Sequence, residues 1–201
     1  MKTAAWWFLF PGALQAQSPA HVFENDYVRI HRDSAPCASA TANCGDRIIV
    51  PLVEFTLAAR GTTLKMERGG IAAFPPGESY IIPAHARYFE VVIKGRTPPP
   101  AVAETIIPAE GNHLLYDGER FFVFEEHLPV GETRPRHSHN QRVVVQLNRT
   151  RLLQQADGQP EVTRDIEPNG VAFNAPVIHT SKNIGELPLH GIVIEFKKPR
   201  Q

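Results

Sequence analysis

The sequence of 201 residues lacks an excess of charge of either sign, because 21 lysines and arginines balance 21 aspartates and glutamates. Proteins that bind nucleic acid neutralise phosphates with a basic surface, so this balance argues against a nucleic-acid partner. Long apolar runs are also lacking beyond the first residues. Segments such as 48–57 are far shorter than the ~20 residues that a membrane-spanning helix needs. The length allows one large domain or two small ones.

Helical patterns are nearly absent, and 18 prolines disfavour long helices, since proline removes a backbone donor and clashes with the preceding turn. Runs of β-branched and aromatic residues recur instead between Gly, Pro, Asn and Asp, which is typical of short strands. Examples are RIIVPLVEFTL, RYFEVVIK, RFFVFEEHL and HGIVIEFK. Many short strands separated by turns predict an all-β sandwich or barrel.

The first residues, MKTAAWWFLFPGALQAQ, combine one lysine, a short apolar run and small residues that end at Ala16. This layout is typical of a secretory signal peptide over residues 1–16, with cleavage between Ala16 and Gln17. A buried first element or an uncleaved anchor is the alternative. We therefore expect a secreted or periplasmic protein that keeps no membrane segment after cleavage.

Cysteine is scarce, and its two copies, Cys37 and Cys44, lie in the loop-like stretch SAPCASATANC. Their C-x6-C spacing is not a usual zinc-ligand spacing, and no second cysteine pair exists. In an oxidising compartment the two cysteines are expected to form a disulfide that closes this loop. Two free thiols are the alternative.

The chain also contains an internal repeat. Residues 23–36 parallel residues 116–131, and residues 69–94 parallel residues 169–197, each pair with the same order of turn, strand and proline. Two related units are therefore expected, which we place at residues 20–96 and 112–199. The stretch between them, residues 97–111, contains three consecutive prolines and is the natural linker, one that packs as a strap across one unit.

The densest polar cluster is GETRPRHSHNQRVVVQL, which contains His137 and His139. On a strand, residues i and i+2 share a face, so both imidazoles are expected to point to the same side. Two neutral imidazoles on one rigid strand can bind one metal ion. About 40 residues later, GVAFNAPVIHTSKNIG supplies His179 after a proline turn, with Asn183 four residues further on.

These residues resemble the two motifs of the cupin superfamily. The first motif is matched by Gly131, His137 and His139, and the second by Gly170, Pro176, His179 and Asn183. The resemblance covers most of residues 116–197 and is weaker over the first half, which has no H-x-H. It implies two tandem double-stranded β-helix (jelly-roll) halves, of which the first is degenerate. It also implies a metal site of three histidines and one carboxylate in the second half.

The chain departs from that pattern at the acidic ligand, where Gln141 or Arg142 stands instead. Glutamine binds divalent ions less strongly than a carboxylate, and an inward arginine repels a cation. A three-histidine site for iron, manganese or zinc remains chemically reasonable. The alternative is a metal-free pocket whose histidines bind a ligand by hydrogen bonds. Gln141, Arg142 and Asn183 are the candidate ligand-binding residues beside the histidines.

Three functions fit these residues: a small-molecule-binding cupin without turnover, a metal-dependent oxygenase or isomerase, and a structural or dimerisation module. The missing carboxylate favours the first over the second, and the retained histidines count against the third. A homodimer is expected because barrels of this family commonly pair through exposed sheets.

The remaining polar residues carry less weight. Arg134, Arg136 and Arg142 suggest an anionic or carboxylated ligand, although surface solvation explains arginines more simply. Glu125 and Glu126 are adjacent on a strand and therefore face opposite sides, so they cannot act together as acid and base.

Overall fold

The computed structural model describes residues 21–99 and 111–197. Within these residues every regular element is a β-strand, and no helix is long and apolar enough to cross a membrane. The predicted signal peptide, residues 1–16, and residues 100–110 of the predicted linker lie outside the described residues. The strands of the first half are β1 (His21–Glu24), β2 (Val28–Arg32), β3 (Asp46–Pro51), β4 (Phe55–Ala59), β5 (Thr62–Met66), β6 (Ala72–Phe74), β7 (Tyr80–Ile81) and β8 (Tyr88–Ile93).

The second half repeats this arrangement with one more strand. Its strands are β9 (Asn112–Asp117), β10 (Phe121–Leu128), β11 (Thr133–His139), β12 (Arg142–Gln146), β13 (Thr150–Ala156), β14 (Val162–Ile166), β15 (Val171–Asn174), β16 (Val177–Asn183) and β17 (Leu189–Phe196).

Each half contributes two antiparallel sheets. In the first half, sheet A has the order β1-β2-β8-β3-β6 and sheet B the order β5-β4-β7. In the second half, sheet C has the order β15-β12-β17-β10-β9 and sheet D the order β11-β16-β13-β14. Sheets A and C match strand for strand, so the repeat read from the sequence is confirmed as a repeat of topology. The predicted all-β fold in two related halves is confirmed.

Alternation along the strands explains which faces are buried. Strand β4 reads FTLAA with its first, third and fifth residues buried, as expected for a strand with one face towards a core. Strand β8 reads YFEVVI and is buried at every position. A strand buried on both faces has packing partners on both sides, so sheet A lies between two layers.

The largest core joins the two halves. It is built from the face of sheet A that carries Ile48 and Val91 and from the face of sheet C that carries Val145 and Ile194, all fully buried. At the edge of this core, the Arg120 guanidinium donates to the Asp46 carboxylate at 2.8 Å. The two halves are therefore held together by one continuous apolar layer.

A second core fills the space between sheets A and B. Its members are Ile49, Phe55, Leu57, Ala59, Met66, Ala72, Phe74, Tyr80, Ala86 and Tyr88. The corresponding space between sheets C and D contains polar side chains as well as apolar ones. We call sheets A and B together the N-terminal barrel, and sheets C and D together the C-terminal barrel.

The predicted disulfide is present: Cys37 and Cys44 are bonded, with their Cα atoms 5.9 Å apart. Cys37 is buried, so the loop is fixed to the barrel at that end.

Candidate metal centre

Three buried histidines converge inside the C-terminal barrel. His137 and His139 lie on β11, and His179 lies directly opposite His137 on the neighbouring strand β16. The ring centroids of His137 and His179 are 4.4 Å apart, and those of His137 and His139 are 4.8 Å apart. One nitrogen from each ring lies within 4.8 Å of the others. The predicted convergence of the three imidazoles is therefore found in the structure.

A β-bulge on β11 prepares this arrangement. Arg134 faces Ser181 and His137 faces His179, so three steps along β11 match two steps along β16. The extra residue lets Arg134 and His137 both point into the barrel, although residues three apart face opposite sides of a regular strand. Pro135 is tolerated within the bulge because β11 is an edge strand of sheet D.

Hydrogen bonds fix the histidine tautomers. The Nδ1–H of His137 donates to the Pro135 carbonyl at 2.8 Å, and the Nδ1–H of His139 donates to the Glu195 carboxylate at 2.7 Å. Because both acceptors are oxygens, each ring keeps an unprotonated Nε2. The Nε2 of His179 is buried and has no hydrogen-bond partner. A metal ion bound by the three imidazoles would satisfy this nitrogen, so the residues fit such an ion.

Burial keeps these histidines neutral. Desolvation lowers the pKa of His139 to about 3 and that of His179 to about 3, and it also lowers the pKa of His137. Neutral imidazole is the form that binds metal ions. At neutral pH none of the three rings therefore carries the second proton that would prevent metal binding.

The charged side chains around the histidines are paired. Arg134 forms an ion pair with Glu126 across the barrel and donates to the His127 carbonyl at 3.1 Å. Glu195, on β17, lies opposite Arg142 on β12. Two buried arginines and two carboxylates therefore surround three neutral rings.

Arg142 has a structural role that is repeated in the N-terminal barrel. Its guanidinium donates to the carbonyl two residues before it at 3.3 Å and to the Ala175 carbonyl at 3.0 Å. Arg47 donates in the same way to the carbonyl two residues before it at 3.2 Å and to the Pro75 carbonyl at 2.8 Å. These bonds favour a role in holding strand ends together. The predicted role of Arg142 in ligand binding stays a prediction.

Asn183 is buried, and its amide is engaged within the protein. Its Oδ1 accepts from the Thr150 hydroxyl at 2.8 Å and from the Gly185 amide at 3.0 Å. Its Nδ2 donates to the carbonyls of Leu128 and Leu187 at 2.9 and 3.0 Å. Ligand binding by Asn183 stays a prediction, and these four bonds favour a role in fixing the loop after β16.

The other predicted candidates lie around or outside this cluster. Gln141 is partly buried between β11 and β12, where its backbone carbonyl accepts from the Phe196 amide at 3.0 Å. Arg136 is exposed and pairs with Asp157. Glu125 points away from the site and accepts from His190 at 2.7 Å. The prediction that Glu125 and Glu126 face opposite sides agrees with their separate partners.

Two carboxylates of the site, Glu126 and Glu195, were not predicted. Glu195 lies in the apolar run HGIVIEFK, where strand alternation puts Ile194 and Phe196 in the core between the halves. The same alternation turns Glu195 towards the barrel interior. A charged residue within an apolar strand was therefore the sequence signal that could have indicated Glu195.

In the N-terminal barrel a tyrosine stands at the position of His179. Ala156, the last residue of β13, pairs with His179 on β16. Ala59, the last residue of the matching strand β4, pairs with Tyr80 on β7. The Tyr80 hydroxyl donates to the buried Glu90 carboxyl. Desolvation raises the pKa of both Tyr80 and Glu90.

The disulfide loop, residues 37–44, takes the place of the strand that carries the H-x-H residues. In the C-terminal barrel β16 pairs with β11, whereas in the N-terminal barrel the Tyr80 amide donates to the Ala38 carbonyl of the loop at 3.0 Å. Among the described residues, the histidine trio of the C-terminal barrel is the one group of three side chains with metal-ligand geometry. The predicted degeneracy of the first half is confirmed.

Comparison of the sequence with protein-family models and with curated proteins found no match. Solved structures do match. A cupin 2 conserved barrel domain protein from Leptotrichia buccalis superposes with a TM-score of 0.55 at 12% identity, covering 88% of this chain and 87% of that chain. A protein from Pseudomonas aeruginosa described as glyoxylate-induced gives a TM-score of 0.61 at 11% identity, covering 88% and 77%.

Bacillus subtilis oxalate decarboxylase, described with Mn(II) centres, gives a TM-score of 0.54 at 12% identity, covering 87% of this chain and 70% of that chain. At these identities the likeness concerns the fold. Two jelly-roll barrels packed through their larger sheets agree with that likeness. The chain is therefore a cupin-fold protein with two tandem barrels.

Proposed function

We propose that the C-terminal barrel binds one divalent metal ion through His137, His139 and His179, and binds a small molecule at the same place. The observation that carries this proposal is the convergence of three buried histidines, with one nitrogen of each ring within 4.8 Å of the others. In addition, the buried Nε2 of His179 has no hydrogen-bond partner. A buried polar atom without a partner is costly unless a ligand satisfies it. Iron, manganese and zinc all accept imidazole nitrogen.

Charge balance favours an anionic small molecule. The three ligands are neutral, Glu126 is paired with Arg134, and Glu195 lies opposite the buried Arg142, so the charges already present sum to zero. A divalent ion would therefore bring two uncompensated charges into a buried site, which is unfavourable without a counter-charge. A carboxylate or another small anion bound to the metal would supply that charge.

A metal-dependent oxygenase or isomerase is the second candidate. Three protein ligands leave coordination positions for a substrate, and a bound metal supplies Lewis-acid or redox chemistry. The protein's own contribution would be to fix the rings through the Pro135 and Glu195 hydrogen bonds and to exclude water by burial. A purely structural or dimerisation module, the third alternative, gives no reason for three buried histidines that converge on one another.

Elemental analysis of tag-free protein, after exposure to iron, manganese and zinc in turn, tests the proposal. We expect one metal ion per chain in the wild type and in the control His113→Ala, whose histidine is exposed on β9. His137→Ala should lose the metal while keeping its β-sheet circular dichroism. Folded wild-type protein that takes up none of the three metals would refute the proposal.

We also propose that the protein is exported, to the periplasm or outside the cell. The signal-like residues 1–16 and the Cys37–Cys44 disulfide support this location, since disulfides persist in oxidising compartments. Fractionation followed by N-terminal sequencing tests it. Mature protein beginning at Gln17 supports export, and an intact N-terminus in the cytosol contradicts it.

A further inference from the structure

Glu195 is a fully buried carboxylate that contacts a candidate metal ligand. Its Oε2 accepts from the Nδ1–H of His139 at 2.7 Å, and its Oε1 accepts from the Asn140 amide at 2.7 Å. Its exposed fraction is 0%. Burying an ionised carboxylate costs desolvation free energy, so a buried carboxylate that does not stabilise the fold points to a functional role.

The N-terminal barrel provides an internal comparison. Arg142 lies opposite Glu195, and Arg47 lies opposite Val92, at matching positions of sheets C and A. The arginine and its carbonyl contacts are thus common to both barrels, whereas a carboxylate stands opposite the arginine only in the barrel that has the histidine trio. The buried carboxyl of the N-terminal barrel, Glu90, lies two residues before Val92, opposite a different residue of β3. If the fold required a carboxylate at this position, both barrels would have one, but the N-terminal barrel has valine there. The carboxylate therefore accompanies the histidines, and the fold does not require it.

We infer that Glu195 is a positioning residue that holds His139 in the tautomer with a bare Nε2 and orients that nitrogen towards the metal. The inference rests on the proposed metal site and extends it to a residue outside the ligand set. A carboxylate behind a histidine ligand fixes the ring and raises the basicity of the ligating nitrogen. The second bond, to the Asn140 amide, fixes the carboxylate in turn.

Two substitutions of Glu195 test this role. Glu195→Gln keeps the shape, but its amide N–H2 can donate to Nδ1 and thereby place the proton on Nε2. Glu195→Val copies the residue that the N-terminal barrel accepts at the matching position, which makes a folded variant attainable. Glu125→Gln is the matched control, because Glu125 also accepts from a histidine at 2.7 Å but lies outside the site.

Two readouts are needed. The first is metal affinity, measured by competition with a chelator of known affinity, for which we expect a loss of about 10- to 100-fold in Glu195→Gln and Glu195→Val. The second is the ¹⁵N chemical shifts of the His139 ring in the metal-free protein. They should report the Nδ1–H form in the wild type and in Glu125→Gln, and an increased Nε2–H population in Glu195→Gln.

The outcomes separate this inference from the proposed function. A wild type that binds no metal refutes the metal site, while the ring ¹⁵N shifts still decide whether Glu195 sets the tautomer. A folded Glu195→Gln with unchanged affinity and an unchanged tautomer overturns the inference. A loss of thermal stability alone, without either change, assigns Glu195 a structural role and overturns it as well.

Discussion

Acidification should destabilise the metal-free protein through the buried histidines. Burial lowers the pKa of His139 and of His179 to about 3, from an ordinary value of 6.5. Below pH 6.5 the unfolded chain takes up protons at these residues while the folded protein does not, so the free energy of unfolding falls as pH falls. Above pH 6.5 both states are neutral, and the two residues contribute no slope.

The size of the loss in stability follows from how far the pH lies below 6.5, the pKa of histidine in the unfolded chain. At pH 5.5 each of the two histidines should cost about 1 kcal/mol of stability, or ~2–3 kcal/mol together. His31 and His137, whose pKa values are also lowered by burial, add a loss of the same sign. Glu90 acts in the opposite direction, because burial raises the pKa of its carboxyl.

Urea unfolding at pH 7.5 and pH 5.5, in the presence of a chelator, measures this loss. A variant comparison isolates His179 from the other groups: His179→Gln should lose about 1 kcal/mol less between the two pH values than the wild type does. The exposed-site control His113→Ala should follow the wild type. Equal losses in the wild type and His179→Gln would refute the reasoning.

Three further outcomes are expected. Ile194→Ala, in the core between the barrels, should lower the free energy of unfolding by ~2–5 kcal/mol in denaturant titrations, because Ile194 is fully buried; a cost below 1 kcal/mol would contradict close packing there. Asn183→Ala should cost ~1–3 kcal/mol, since it leaves buried partners without a hydrogen bond, and a near-neutral thermal shift would contradict this. Reducing the bond between Cys37 and Cys44 should lower the melting temperature through loop entropy without loss of metal from the proposed site, and metal loss on reduction would contradict the separation of the disulfide loop from that site.

The histidine trio could be predicted from the sequence by one local rule together with the resemblance to the cupin motifs. The i, i+2 rule puts His137 and His139 on one face, and the motif order brings in His179 from a later strand. The β-bulge before His137 could not be predicted, since the extra residue is defined only by its pairing with β16. The bulge decides that Arg134 also faces the interior.

The roles of the charged residues depended on contacts that no sequence pattern contains. Arg142 looked like a pocket residue, and only its carbonyl partners, matched by those of Arg47, indicate a structural function. Glu195 was hidden in an apolar strand, 56 positions from its partner His139. Long-range pairing of this kind becomes visible only when sheets C and D face each other.

The shared apolar layer between sheets A and C limits how this protein can be reduced to a minimal module. Isolating residues 112–199 would bring the core face of sheet C, including Val145 and Ile194, into water. An exposed apolar face of a sheet favours self-association. A soluble single-barrel version would therefore need polar replacements across that face. The N-terminal barrel therefore shields the apolar face of sheet C from water, although no histidine cluster is found among its described residues.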